Sequence, residues 1–193
     1  IGKSYAVVEQ KEIWCKKAKN IADIAILGDE SVYSTISCPT DVLDSDVGAN
    51  RIMLEGNYLY RFIDLQEDFS SFKLLILADS VHLDHELMVR INEYLQKGGK
   101  VLATGVSGTD QEESAFLINL GAEFAGANTC KPDYMIPVQN LATGNSPHVM
   151  YEQGYEIKIT TGVPAAYRRN SYFNRDVYKF CSHQHTPYNL EEN

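Results

Sequence analysis

The sequence predicts an α/β fold: a mostly parallel sheet flanked by helices, with extra β-strands in its C-terminal third. Three observations carry that reading. Short apolar runs end in glycine or aspartate, as strands buried on both faces of a parallel sheet do. Between them lie segments whose apolar residues recur at helical spacing. Beyond Gly121 the texture changes to short alternating stretches punctuated by Pro137 and Pro164.

The elements follow in order. Residues 1–20 are mixed in character and hold the single tryptophan, Trp14, so they read as a connector that docks on something. "IADIAILG", Ile21 to Gly28, is the first strand, followed by a polar stretch from Asp29 to Gly48. "ANRIMLEGNYLY" places Ile52, Met53, Gly56, Leu59 and Tyr60 on one helical face. Phe62 to Leu65 forms a second strand and Leu74 to Leu77 a third, with Asp79 and Ser80 at its carboxyl end. Asp84 is a fitting N-cap, with Leu83 and Met88 as a hydrophobic staple. Leu87, Met88, Ile91, Tyr94 and Leu95 then make a buried stripe. Gly98 or Gly99 closes that helix, and Lys97 suits its negative end. "KVLATG" supplies a fourth strand, and "EESAFLINLG" predicts a further short helix closed by Gly121. "YMIPV" and "YEIKIT" are strands that extend or cover the sheet. The expected organisation is a connector over 1–20, one domain over 21–187 with a β-rich extension over 121–187, and a tail over 188–193.

Composition bounds the partners. The chain has 193 residues, 44% of them hydrophobic, enough for the core of one ordinary domain. A net charge of −9 argues against a broad grip on nucleic acid, which needs clustered Lys and Arg. No apolar run approaches the roughly 20 residues that span a bilayer, so no membrane partner is expected. Cys15, Cys38, Cys130 and Cys181 are widely spaced and read as mostly buried free thiols, while their even count leaves disulfides open and the compartment undecided, with a lean to the cytoplasm. Ile1 stands where a start methionine would, as in a processed chain or a piece of a longer protein.

Ligands of an open α/β sheet sit outside the carboxyl ends of its strands. The loops there are "GDESVYS", "ADSVHLDH" and "GVSGTD". The third nearly matches the G-x-S-x-G nucleophile elbow, with the last glycine displaced by one position. Ser107 is therefore a candidate nucleophile, served by His82 or His85; a Gly/Ser turn explains the same residues. A second cluster lies in "YFNRDVYKFCSHQHTP", where Asn174, Arg175, His183 and His185 are candidate binding residues, for sugar or for a domain interface. His183 and His185 would share one side of a strand, yet no third metal ligand is signalled, so no metal and no cofactor are expected. Phe173, Tyr178 and Phe180 are the expected anchors of this segment.

The stretch from Gly48 to Gly108 resembles the trimerisation domain of microbial β-galactosidases and related glycoside hydrolases. The resemblance rests on the Phe72-Lys73-Leu74-Leu75-Ile76 strand, the Gly98-Gly99-Lys100 helix end and the Val101 to Gly105 strand. It covers about a third of the chain closely. It implies a flavodoxin-like sheet similar to that of class I glutamine amidotransferases. It does not bring amidotransferase chemistry, because those enzymes carry a cysteine at the elbow where this chain reads Gly105-Val106-Ser107-Gly108. The terminal segment likewise resembles the end of this domain in bacterial glycosidases of the α-L-fucosidase-like and α-amylase-like kinds, where the domain follows a catalytic (β/α)₈ barrel. What this implies is a non-catalytic accessory or oligomerisation domain of a glycoside hydrolase. Its partners would be the barrel of the same protein, further copies of the chain, and the carbohydrate substrate. The alternatives are a stand-alone hydrolase using Ser107 with a histidine, or a sugar-binding module.

Overall fold

The structure is a computed structural model that describes residues 2–28, 40–138, 146–152, 154–180 and 186–190. Its elements are α1 (Gly2–Cys15), β1 (Ile24–Gly28), α2 (Thr40–Glu55), β2 (Tyr60–Asp64), β3 (Leu74–Leu77), α3 (His85–Gln96), β4 (Lys100–Ala103), β5 (Ala122–Ala127), β6 (Asp133–Pro137), β7 (His148–Met150), β8 (Tyr155–Ile159) and β9 (Ala166–Asn170). The first four strands form one wholly parallel sheet in the order β2-β1-β3-β4. The order reverses between β1 and β3, and their carboxyl ends flank the switch point.

The core lies between this sheet and α3. Ala25, Leu27, Ile63, Leu75 and Leu77 point to the same side as Leu87, Ile91 and Tyr94, with Val101 and Ala103 packed against them. Ile26 and Ile76, on the other face, are buried too, which is why β1 and β3 are uninterrupted apolar runs. The predicted boundaries of α3 hold. The Asp84 side chain accepts from Leu87 N at 2.8 Å, and Gly98, at φ +91°, receives the chain as it leaves the last turn. Gly99 is required for a different reason: a Cβ there would stand 2.3 Å from the Tyr94 ring. The Tyr94 hydroxyl donates to Phe72 O at 3.2 Å and accepts from Lys100 N at 3.3 Å, tying the entries of β3 and β4 to the helix.

Three expectations are corrected. First, α2 starts at Thr40, inside the stretch read as polar connection, and ends at Glu55, so Tyr58 and Leu59 lie outside it. Asn57, at φ +55°, turns the chain, and Tyr58 N donates back to Met53 O at 3.0 Å. The strand that follows begins at Tyr60, two residues before the predicted start. Second, "EESAFLINLG" is not a helix. Asp110 N donates to Ala115 O and Leu117 N to Gly108 O, closing a hairpin-like turn bridged between Thr109 and Phe116. The Asp110 side chain takes Ser114 N and the Ser114 hydroxyl, so the groups that would have begun a helix are already spent. Third, the free thiol of Cys15 is exposed, while that of Cys130 is half-buried. Cys38 and Cys181 lie outside the described residues.

The C-terminal third is β-rich, as expected, and adds strands the sequence did not reveal. β5 pairs antiparallel with β8, and β6 is the centre of the antiparallel order β7-β6-β9. Phe124 joins the pieces, meeting the Phe116 ring edge-on and the Tyr155 ring at a tilt. The chain stays docked past Pro187: Asn189 N donates to Asn170 O at 2.8 Å and Tyr188 packs its ring on Tyr134. None of the helices among the described residues is long and apolar enough to cross a membrane.

Candidate functional site

Two regions of the described residues bear on function: the carboxyl edge of the parallel sheet and the terminal segment. At the edge, β3 runs into Ala78 and Asp79, and β4 into Thr104 and Gly105. Asp79 sits at φ +55°. Its N–H donates to the Thr104 hydroxyl at 3.0 Å, its carboxylate accepts from Ser45 at 3.0 Å, and its carbonyl accepts from Val106 N at 2.7 Å. Gly105 must be glycine here, because a Cβ would stand 2.5 Å from Asp79 O.

The loops after β3 and β4 then zip together beyond the sheet. Gly108 N donates to Val81 O at 3.0 Å, and Leu83 N donates to Thr109 O at 2.8 Å. Ser107 is part of this zipper. It is 1% exposed, and its Oγ accepts from Val81 N at 3.1 Å. A nucleophilic serine needs an open hydroxyl and a base. His82 instead turns its Nε2 to Glu113 at 3.2 Å, and His85 begins the exposed first turn of α3. The predicted Ser107–histidine site is thus corrected to a buried structural turn. "GDESVYS" lies outside the described residues.

The edge is polar and acidic in character. Tyr155 has its hydroxyl pKa pushed up by burial, with the charges of Glu113 and Asp79 adding to the effect. Asp110 is held below the ordinary carboxylate value, first by the Ser114 hydroxyl and then by its N–H. Among the described residues no group of three or more His, Cys, Asp or Glu could hold a metal ion.

In the terminal segment the structure gives Asn174 a definite task. Its Oδ1 accepts from Lys131 N at 2.9 Å and its Nδ2 donates to Thr129 O at 2.6 Å, so both ends of the amide pin the turn before β6. Behind that turn is a buried polar knot. Asn128 Nδ2 reaches Asp133 Oδ2 at 2.9 Å and Asn170 Oδ1 at 3.1 Å, and Gly154 leaves room for the Asp133 carboxylate. The bulk sequence signal for this knot was no more than a scatter of Asn and Asp residues in an apolar context.

Arg175 is exposed. Asp176 folds a tight turn by accepting from Tyr178 N and Lys179 N, bonds that also lower its pKa. Of the three expected anchors, Phe173 is half-buried, but Tyr178 and Phe180 are 91% and 74% exposed, on the outside of that turn. They do not anchor the segment to this domain; Tyr172 N to Pro187 O and the Ser171–Tyr188 bridge do. His183 and His185 lie outside the described residues.

Two hollows on the surface of the described residues are also notable. One, of about 580 Å³, lies at the amino edge beside Lys73, Arg90, Lys97 and Lys100. Its walls are already committed: Lys73 pairs with Asp23, and Arg90 donates to Leu65 O and Glu67 O while covering the Phe69 ring. The other, of about 470 Å³, runs between β8 and β9 and is lined by Tyr155, Ile157, Ile159, Val163, Tyr167 and Arg168.

Comparison with known proteins gives these features a context. No protein-family profile matches the chain, nor does any curated protein. Among solved structures, the α-L-fucosidase isoenzyme 2 from Paenibacillus thiaminolyticus matches over 98% of this chain at 38% identity, with a TM-score of 0.85. This chain is a glycoside hydrolase-related domain. It spans 29% of the length of that fucosidase. The β-galactosidase from Bacillus circulans sp. alkalophilus shares the fold over 86% of this chain and 27% of its own, at 15% identity and a TM-score of 0.64. Gan42B, a GH42 β-galactosidase from G. stearothermophilus, does so over 80% and 24%, at 20% identity and a TM-score of 0.59.

Proposed function

We propose that this domain is a non-catalytic accessory and assembly module of a multidomain glycoside hydrolase, where it packs on a catalytic (β/α)₈ barrel. The observation that carries the reading is the 38% identity along 98% of the chain to a segment that makes up 29% of an α-L-fucosidase. Two further features support it. The elbow where a nucleophile would stand holds a buried serine bonded to Val81 N. The parallel order β2-β1-β3-β4 favours the flavodoxin-like, amidotransferase-like class that includes the β-galactosidase trimerisation domain. On this reading the whole enzyme acts on α-L-fucosides, and its acid and nucleophile, which must flank one glycosidic bond, belong to the barrel. The turn carrying Arg175, Val177 and Tyr178 is the docking edge, and the role for sugar or domain interface that the sequence suggests for His183 and His185 belongs to the same reading. Asn174 supports that edge from behind.

The test is to titrate the purified chain with L-fucose, D-galactose and their aryl glycosides, following heat and released aglycone. Neither is expected. Binding heat would favour an autonomous sugar-binding module, and aglycone release would favour an enzyme.

A further inference from the structure

The hollow of about 470 Å³ between β8 and β9 lies between two open strand edges. β8 pairs on one side, with β5, and β9 on one side, with β6, and the two do not pair with each other. The ladder bonds fix which main-chain groups look into the gap. Thr160 N donates to Gly121 O at 3.0 Å and Gly154 O accepts from Asn128 N at 2.8 Å, so the even-numbered residues of β8 turn their N–H and C=O toward β5. Ile157 and Ile159 therefore turn theirs to the open edge. On β9, Ala165 O accepts from Val138 N at 2.9 Å, which places Tyr167 and Arg169 in the ladder to β6 and leaves the main chain of Ala166 and Arg168 facing outward. Among the described residues, the outward N–H and C=O groups of Ile157, Ile159, Ala166 and Arg168 have no hydrogen-bond partner.

The same four residues line the groove. Donors and acceptors that recur at every second residue along two edges match an extended backbone, and do not match a helix, whose main-chain groups are already bonded internally. The side chains at the groove are apolar: Ile157, Ile159 and Val163 are 57%, 46% and 85% exposed. Arg168 is paired with Glu156 at 3.3 Å, so its charge is already answered within the wall. The edge of β9 also takes an added strand nearby. Two residues on, Asn170 O accepts from Asn189 N, and Ser171 bridges Tyr188 in antiparallel fashion. The groove continues that covered edge.

We propose that this groove receives an extended strand of about five residues with apolar side chains, donated by a part of the same glycoside hydrolase outside this domain, which pairs with the open edges of β8 and β9. Open apolar edges invite edge-to-edge aggregation unless they are covered. A strand on the same polypeptide covers them permanently, at an effective concentration of about millimolar. This chain spans 29% of the α-L-fucosidase that it matches, so an enzyme of that length has chain to supply the strand. The inference rests on the multidomain reading above and names a contact which that reading leaves open.

The experiment is hydrogen exchange, read amide by amide, on the purified chain and on the full-length enzyme. In the chain alone, Ile157, Ile159, Ala166 and Arg168 should exchange freely, while Lys158 and Tyr167, whose N–H groups lie in the ladders, are protected. In the full-length enzyme the four open amides should slow by about a hundredfold or more. A synthetic peptide of alternating valine and threonine, added to the chain at millimolar concentration, should slow the same four amides, and the same peptide N-methylated at alternate residues should not.

Unchanged exchange in the full-length enzyme would mean an open groove, and no slowing by the unmodified peptide would mean edges that take no strand; either overturns the inference. Equal slowing by both peptides would mean an apolar cover without main-chain pairing, and overturns it too. So does protection in the chain alone, which means a second copy in the groove if it grows with protein concentration and this chain's own residues if it does not. The accessory-domain reading fails on a separate observation, aglycone release by the chain alone, which leaves the exchange pattern untouched.

Discussion

Ser107→Ala distinguishes a structural turn from a catalytic one by the sign of its effect on stability. The hydroxyl is 1% exposed and accepts from Val81 N, itself on a residue 4% exposed. Alanine removes the acceptor and leaves a buried N–H with no water to replace it, at a cost of about 1–3 kcal/mol. For a domain of this size each kcal/mol lowers Tm by roughly 2–4 °C, so a fall of about 4–8 °C is expected for the middle of that range. A nucleophile held open for catalysis behaves oppositely: its removal leaves stability unchanged or raises it, because strained active sites are maintained at the expense of stability. The assay is thermal unfolding by circular dichroism of the native chain and the variant, side by side. A variant with the native Tm, or a higher one, would refute the structural role assigned to Ser107 and reopen the elbow as a site.

Three further outcomes follow from named contacts. Asn174→Ala should cost about 1–2 kcal/mol, since two backbone partners lose a bond that water replaces in part; Asn174→Asp should recover the Lys131 N acceptor and about half the loss, and an equal loss in both variants would count against the pinning role. Asp84→Ala should cost about 1 kcal/mol by removing the cap on Leu87 N, and an unchanged denaturation midpoint would contradict the cap. Burial raises the Tyr94 pKa above its ordinary value of 10.0, so its stabilising contribution is complete below that value and is lost as pH rises through the raised one. Tyr94→Phe should flatten the fall of Tm as pH rises above about 10, and identical slopes in variant and native would overturn that assignment.

The parts of the fold legible in the sequence were those written in local chemistry. β1 and β3 are apolar on both faces, and α3 carries its own cap, stripe and glycine stop, so each declares itself within its own residues. What escaped was set by partners distant in sequence. β9, "AYRRN", is a strand because β6 pairs with it, despite two arginines. "EESAFLINLG" has helical spacing, yet Asp110 and the Thr109–Phe116 bridge claim its polar groups first. The candidate site shows the same division. Gly105 and the small elbow residues were visible, but whether Ser107 opened to solvent depended on Val81, in another loop. Asn174 was singled out as a binding residue, and its partners at Thr129 and Lys131 give it a supporting task within the domain that spacing alone does not reveal. Tyr178 and Phe180 read as anchors because aromatic residues usually are; the turn made by Asp176 directs them outward.

The most direct test of the accessory-domain account is the rate of aglycone release from an aryl α-L-fucoside by the purified chain, at high protein concentration and against a buffer blank. The account predicts identical rates in protein and blank, because the reacting carboxylates belong to another domain. Release that survives repurification and disappears in Ser107→Ala would contradict it.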